Sequence, residues 1–335
     1  MRLTHNFAIL LEHPYVYFHL FGGSGMKRLS TLVLLLSLLV SGCAASKPME
    51  QTIYAMNTVM QIKIWGEDAE NGYGQILTKL QDLEGSWSTT SEDSILWQLN
   101  NGNKLFQLEP GQAALLAKAE ILSDRTDGTF DPKMRRASEA WGFYNAQYRI
   151  PSQEEIDAAL SDPQWDLGGA LKGHAGQQCV ELLKELDVDR ALLNLGGNVQ
   201  TYGEKKDSTP WQIAIHNPDG GNHLGIVSVN GTMAVVTSGD YQRYFERQGT
   251  RYHHILDPET GRPADSGLRS VTVICNDGMT ADALSTALFV MGLEKGSDFW
   301  RQSDDFEAVF LTEDGVIYAT QGANLSGCEY EVILR

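Results

Sequence analysis

Residues 224–237 read LGIVSVNGTMAVVT. Two short runs rich in Val and Ile flank Asn230-Gly231. That pair favours a two-residue hairpin turn, because both central positions need positive φ. The spacing predicts strands at 224–230 and 232–237, joined as an antiparallel pair. Asp314-Gly315, between strand patterns at 308–311 and 316–319, repeats the signal near the C-terminus. Helical patterns lie between. Residues 71–83 and 172–186 carry apolar side chains at helical spacing. Pro110 opens a helix over 110–124, with Asp127-Gly128 beyond its end. Ser152 and Glu155 make a capping box for a short helix reaching 160. Residues 279–291 read as an apolar helix. Further strands are expected at 52–64, 190–194, 211–215 and 270–275. Hairpins mixed with helices predict an α+β fold built on antiparallel sheet, not a doubly wound parallel one.

Composition narrows the function. Apolar residues make 42% of the 335 and charged residues 21%, which excludes a disordered or low-complexity chain. The formal charge of −17 excludes a sequence-independent nucleic-acid binder, which needs a basic face. It leaves room for an anion held by a metal ion. Four cysteines are too few for a disulfide scaffold. At the N-terminus, Lys27-Arg28 precedes the apolar run LSTLVLLLSLLV at 29–40, too short to span a membrane comfortably. Ser41-Gly42-Cys43 follows. This is the pattern of a secretory signal, and it resembles a bacterial lipobox in which Cys43 becomes the lipidated first residue. Residues 1–25 fit no part of that pattern, so translation is expected to start at Met26. The expected organisation is an upstream extension plus signal peptide (1–42), a lipidated tether (43–51) and one catalytic domain (52–335). The expected location is the extracytoplasmic or periplasmic face of a bacterial membrane.

Five segments could carry chemistry. In DLGGALKGH, from Asp166 to His174, paired glycines before a helix let the backbone approach an anion, and Lys172 adds positive charge. In NLGGN, Gly196 and Gly197 end a strand where a ligand could lie. TSGDYQRYF, from Thr237, offers Ser238 and Gly239 among polar and aromatic groups. In YHHILDPETG the adjacent His253 and His254 must face opposite sides of a strand, so one at most serves a given site. In TADALSTALF, Asp282 and Thr286 stand one helical turn apart on a face of an otherwise apolar helix. A carboxylate plus a hydroxyl suits Mg²⁺, which takes few protein oxygens. The bland alternative is an Asp favoured by the helix dipole and a Thr bonded back to its own helix.

In this order, the five segments resemble the ApbE family of FAD:protein FMN transferases. Met56-Asn57-Thr58, Ser94-Ile95-Leu96 with Leu99-Asn100, TDGTFDP from Thr126 to Pro132, and Trp141-Gly142-Phe143 extend the resemblance over nearly all of the chain after residue 55. The resemblance implies a T-fold-like core and an FAD cleft. It implies Mg²⁺-dependent transfer of FMN from FAD to a Thr or Ser hydroxyl of a partner protein, with release of AMP. FAD is then the substrate and Mg²⁺ the cofactor. Acceptors in the family include flavoprotein subunits of NADH:quinone reductases and Rnf-type complexes. By resemblance, Asp282, Thr286 and the backbone carbonyl of Gly169 hold Mg²⁺. The resemblance implies an FAD site formed by Met56, Phe130, Asp131, Asp166, Lys172, Gly196, Gly197, Ser238 and Gly239. His254 is the candidate for deprotonating or orienting the acceptor hydroxyl, with Asp257 as a candidate orienting partner. Two alternatives stand beside this reading. One is an FAD pyrophosphatase giving FMN and AMP, and the other a flavin- or solute-binding lipoprotein without catalysis. The chain also departs from the family. The stretch before Asp166 is shortened to 161–165, so a strand pair beside the cleft is expected to be missing. Lys133-Met134-Arg135-Arg136-Ala137 replaces the usual continuation after Pro132, and His174 and Leu171 replace a usual Tyr and Ala.

Overall fold

The computed structural model describes residues 47–103 and 107–335. The signal segment and Cys43 lie outside the described residues. A nine-stranded sheet forms the centre, in the order β1 (Met49–Ala55), β2 (Thr58–Gly66), β3 (Val188–Leu195), β4 (Asn198–Tyr202), β7 (Ala234–Gly239), β12 (Leu268–Cys275), β13 (Phe306–Thr312), β14 (Ile317–Thr320), β16 (Glu331–Ile333). Every neighbouring pair is antiparallel except β14 with β16. The α+β expectation therefore holds.

One face of this sheet carries helices α1 (Ala69–Ser86), α6 (Leu171–Lys184) and α7 (Gly278–Arg301). The other carries a three-stranded sheet of β15 (Leu325–Ser326), β6 (Gly225–Val229) and β5 (Trp211–Ile215). Strand alternation divides the core between them. Val236 and Val273 are register partners packed with α7, while Val235 and its partner Ile274 pack with the small sheet. The remaining helices are α2 (Ile95–Asn100), α3 (Pro110–Arg125), α4 (Arg135–Ala140) and α5 (Gln153–Ser161). The capping box forms at Ser152 and Glu155, and Pro110 is the first residue of α3. Helix α7 runs ten residues past the expected end at Met291, but Gly292 breaks its geometry with φ 79°. Among the described residues no helix is long and apolar enough to cross a membrane.

Three turns tell different stories. Asp314-Gly315 sits in the β13–β14 hairpin, where Leu311 pairs with Ile317. Asn230-Gly231 does not make a hairpin. Both flanking strands form, but β6 pairs with β5 and β15, and β7 pairs with β4 and β12. The turn carries the chain from the small sheet to the large one, because each strand finds longer partners there. The expected single strand at 52–64 is instead a hairpin, folded at Met56 and Asn57 with φ of 49° and 59°. Asn tolerates that conformation, but no glycine marks the turn.

Helix α6 approaches the start of α7 at a glycine. A Cβ on Gly173 would stand 2.0 Å from the carbonyl oxygen of Gly278 and 2.7 Å from Cβ of Asp282. Gly173→Ala should therefore push the helices apart and lower the unfolding free energy by about 2–3 kcal/mol. A urea titration of wild type and variant checks this, and an unchanged midpoint would contradict it.

Candidate active site

The α6–α7 crossing brings two of the predicted segments together. Asp277 caps α7, its carboxylate accepting from Thr280 N–H at 2.8 Å. Lys118 holds that cap with Nζ at 2.8 and 2.7 Å from its two oxygens. Asp282 is therefore beyond the first turn, so the dipole alone does not account for it. It is 3% exposed, and its Oδ2 accepts from Gly173 N–H at 2.8 Å. Among the described residues it has no ion-pair partner. A buried carboxylate with one backbone donor is costly unless a cation joins it.

Hydroxyls and a glycine turn stand beside it. Ser238, on β7, meets Ser285 Oγ at 2.8 Å and Thr286 Oγ1 at 3.3 Å. Thr286 thus faces across to the sheet, while Ser285 bonds back to the Asp282 carbonyl at 2.8 Å. A Cβ on Gly169 would lie 3.3 Å from both Thr286 Oγ1 and the Phe130 ring. Asp166 shapes this turn by accepting from Gly168 N–H at 2.8 Å. Lys172, in the first turn of α6, has no carboxylate partner among the described residues. These groups fit a hard cation with few protein ligands and a bound anion. No three His, Cys, Asp or Glu side chains among the described residues group as a metal site. A carboxylate–hydroxyl–carbonyl set is outside that class.

Between α5 and Asp166 the chain contains no named strand. Gln164 makes one isolated parallel bridge with Met134, and Asp166 N–H donates to the Pro132 carbonyl at 2.7 Å. Phe130 is buried, and Asp131 accepts from Lys133 N–H at 2.8 Å. Tyr144, not anticipated from the sequence, lies beside Asp166 with its hydroxyl buried. Burial first, then the Asp166 charge, pushes its phenol well above the ordinary value. His174 lies near Lys118 and Asp277. Burial, ahead of the Lys118 charge, lowers its imidazole to about 4.

The hairpin tip supplies another wall. A Cβ on Gly196, whose φ is 71°, would overlap Thr58 Oγ1 at 2.2 Å, so only glycine lets this loop rest on the β1–β2 tip. Met56 packs at the edge of the same core. Gly197 accepts from Thr237 N–H at 3.2 Å, which joins this loop to the start of the Ser238-Gly239 segment.

His254 closes the site. It follows β9 (Thr250–His253), which pairs with β8 (Tyr244–Arg247) as a separate two-stranded sheet. His254 Nδ1 lies 3.2 Å from the Arg243 carbonyl, and its backbone N–H donates to the same oxygen at 3.0 Å. A carbonyl only accepts, so Nδ1 carries the proton and Nε2 is bare. Desolvation of the half-buried ring, then the charges of Arg243 and Lys172, holds His254 well below the ordinary imidazole value. Phe143 meets the ring edge-on at 6.4 Å. Trp141 anchors the base of this platform, stacking on Tyr252 at 5.6 Å and donating to the Gly261 carbonyl at 2.8 Å. The adjacent His253 takes the opposite face and the opposite tautomer, with Nε2 3.2 Å from the Ala264 carbonyl. The expected pairing of His254 with Asp257 is replaced. Asp257 Oδ1 accepts from Glu259 N–H at 2.9 Å in the Asp-Pro turn between β10 (Leu256–Asp257) and β11 (Arg262–Pro263), and the Arg243 carbonyl orients the imidazole instead. Sequence reading missed that carbonyl because a backbone oxygen leaves no mark in a motif.

The family model described as "ApbE family" matches residues 56–310. A Klebsiella pneumoniae (strain 342) protein called "FAD:protein FMN transferase" is 44% identical over 151 residues, covering 44% of this chain and 46% of that protein. A Rhodobacter capsulatus protein of the same description is 31% identical over 305 residues, covering 83% of this chain and 58% of that protein. The matches thus span about half the length of these two relatives. The crystal structure of an ApbE protein from Thermotoga maritima superposes with a TM-score of 0.76 at 32% identity, covering 82% of this chain and 97% of that one.

Proposed function

The chain belongs to the ApbE family, and from that premise we propose that it moves FMN from FAD onto a hydroxyl of a partner protein and releases AMP. The observation that carries this reading is Asp282: a buried carboxylate beside Thr286, the Gly168-Gly169 turn and Lys172, with neither charge in an ion pair among the described residues. Asp282, Thr286 and the Gly169 carbonyl would hold Mg²⁺. When bound, Mg²⁺ neutralises the diphosphate charge and stabilises the leaving AMP.

The chain's own residues supply the rest. Lys172, at the positive end of α6, attracts the diphosphate. The acceptor oxygen attacks the FMN-side phosphorus. Its proton passes to the bare Nε2 of His254, the new O–P bond forms, and the P–O bond to AMP breaks. The Arg243 carbonyl keeps the imidazole in the tautomer that can accept this proton. Asp166, the Phe130-Asp131 segment, Met56, the Gly196-Gly197 loop and Ser238-Gly239 at the end of β7 line the space for FAD.

The lowered pKa of His254 has a testable sign. A general base works unprotonated, and a depressed pKa keeps Nε2 bare as pH falls through 6.5. Transfer at saturating FAD and Mg²⁺ should stay within about twofold from pH 8 to about pH 6. A half-maximal point at 6.5 would show an unshifted histidine.

The same reading includes an exported protein, lipidated at Cys43 and acting on flavoprotein subunits of electron-transfer complexes such as NADH:quinone reductase or Rnf. The signal pattern at 27–43 supports it. To test the function, the full-length protein is incubated with FAD, Mg²⁺ and an acceptor domain bearing a flavinylation Thr. The products are run on a denaturing gel and imaged for flavin. A fluorescent acceptor band, lost with EDTA, supports transfer. A dark band with FMN and AMP released points to the pyrophosphatase, and a dark band with intact FAD to binding alone.

A further inference from the structure

The β8–β9 hairpin is its own small sheet, yet His254 and the carbonyl that orients it both depend on where that hairpin sits. Asp240 ties it to the large sheet. It stands at the end of β7, two residues after Ser238, and is 7% exposed. Its Oδ2 accepts from Arg251 Nη1 on β9 at 3.1 Å and from Arg269 Nε on β12 at 3.0 Å. Its backbone N–H donates to the Arg269 carbonyl at 3.0 Å. Arg251 is held in turn by β8, lying 4.4 Å over the Tyr244 ring and reaching Glu246 at 3.3 Å. Arg269 reaches Asp219 at 3.1 Å. A buried carboxylate shared by guanidinium groups from two elements permits little sliding, since loss of either contact strands a charge.

We propose that Asp240 is a positioning residue for flavin transfer: through Arg251 it sets the β8–β9 hairpin, and so His254, relative to the hydroxyls of Ser238 and Thr286. This rests on the reading of His254 as the base. Ser238-Gly239-Asp240 then has one end at the cation side of the site and the other at the base. A misplacement of about 1 Å between them costs on the order of 100-fold in rate.

The test is a double-mutant cycle on the full-length protein, with FAD, Mg²⁺ and the acceptor domain. Asp240→Asn keeps the shape and removes the charge. It should lower kcat by about 10–100-fold while FAD affinity, read by flavin fluorescence, changes less than about threefold. In a His254→Ala background the same substitution should change the residual rate by no more than about twofold, because the group it positions is gone. Asp240→Glu should recover part of the rate. An unchanged kcat in Asp240→Asn overturns the proposal. So does an equal loss in both backgrounds, which marks a general structural effect. Absence of transfer by the wild-type protein overturns the flavin-transfer reading itself, and the positioning role with it.

Discussion

Alanine at Asp282 should reduce FMN transfer by at least about 1000-fold, roughly 4 kcal/mol of transition-state stabilisation. The carboxylate is buried, has one backbone donor and meets no cation of the chain among the described residues. The proposed Mg²⁺ would supply the missing cation. A companion measurement needs no turnover. Asp282→Asn keeps an acceptor for the Gly173 N–H and removes the unpaired charge. Without Mg²⁺ it should melt at the same temperature as wild type or higher, because a desolvated charge has been removed. Added Mg²⁺ should raise the wild-type melting temperature and leave the variant's unchanged. Transfer by Asp282→Ala at more than a tenth of the wild-type rate would falsify the metal role.

The second large effect is expected at His254. His254→Ala should leave FAD affinity within about threefold and cut transfer at least about 100-fold. Proton removal from a hydroxyl is a transition-state event, so kcat falls while binding of FAD is spared. The geometry supports the split. Nδ1 is committed to the Arg243 carbonyl, and the bare Nε2 remains for the acceptor. Asp257→Ala is a useful contrast. Its carboxylate serves the turn at Glu259, so its loss should cost stability more than the base. Equal transfer by wild type and His254→Ala would assign the proton to another group.

Much of the site was legible in the sequence, for a definite reason. Asp282 and Thr286 lie one turn apart on a helix, and Gly168-Gly169 opens another, so local geometry sets how each presents its groups. The opposite facing of His253 and His254 follows from the pleat, and the structure shows it in their different carbonyl partners. Other parts carried no local mark. Asp240 sits among the polar and aromatic groups of TSGDYQRYF with nothing local to mark it as the shared partner of Arg251 and Arg269. Tyr144 gains its place beside Asp166 only when the short bridge at Gln164 brings the two segments together.

What the sequence determined by itself were features whose energy is paid out within a few residues. The capping box at Ser152, Pro110 at the head of its helix, the Asp314-Gly315 hairpin and the apolar run of α7 up to Gly292 all depend on near neighbours. The tertiary structure decided which strands pair. Asn230-Gly231 has the sequence of a hairpin turn, yet β6 and β7 part there. Backbone N–H and C=O groups bind whichever strand offers the fuller ladder, and both found it elsewhere. Met56-Asn57 folds as a turn without glycine because β2 has β3 on one side and takes β1 on the other. The tertiary structure also sets Asp282 against Gly173 and His254 beneath the Arg243 carbonyl. The first contact joins residues 109 apart in the chain, and the second closes the separate β8–β9 hairpin over 11 residues, so packing of the helices fixes one and strand pairing the other.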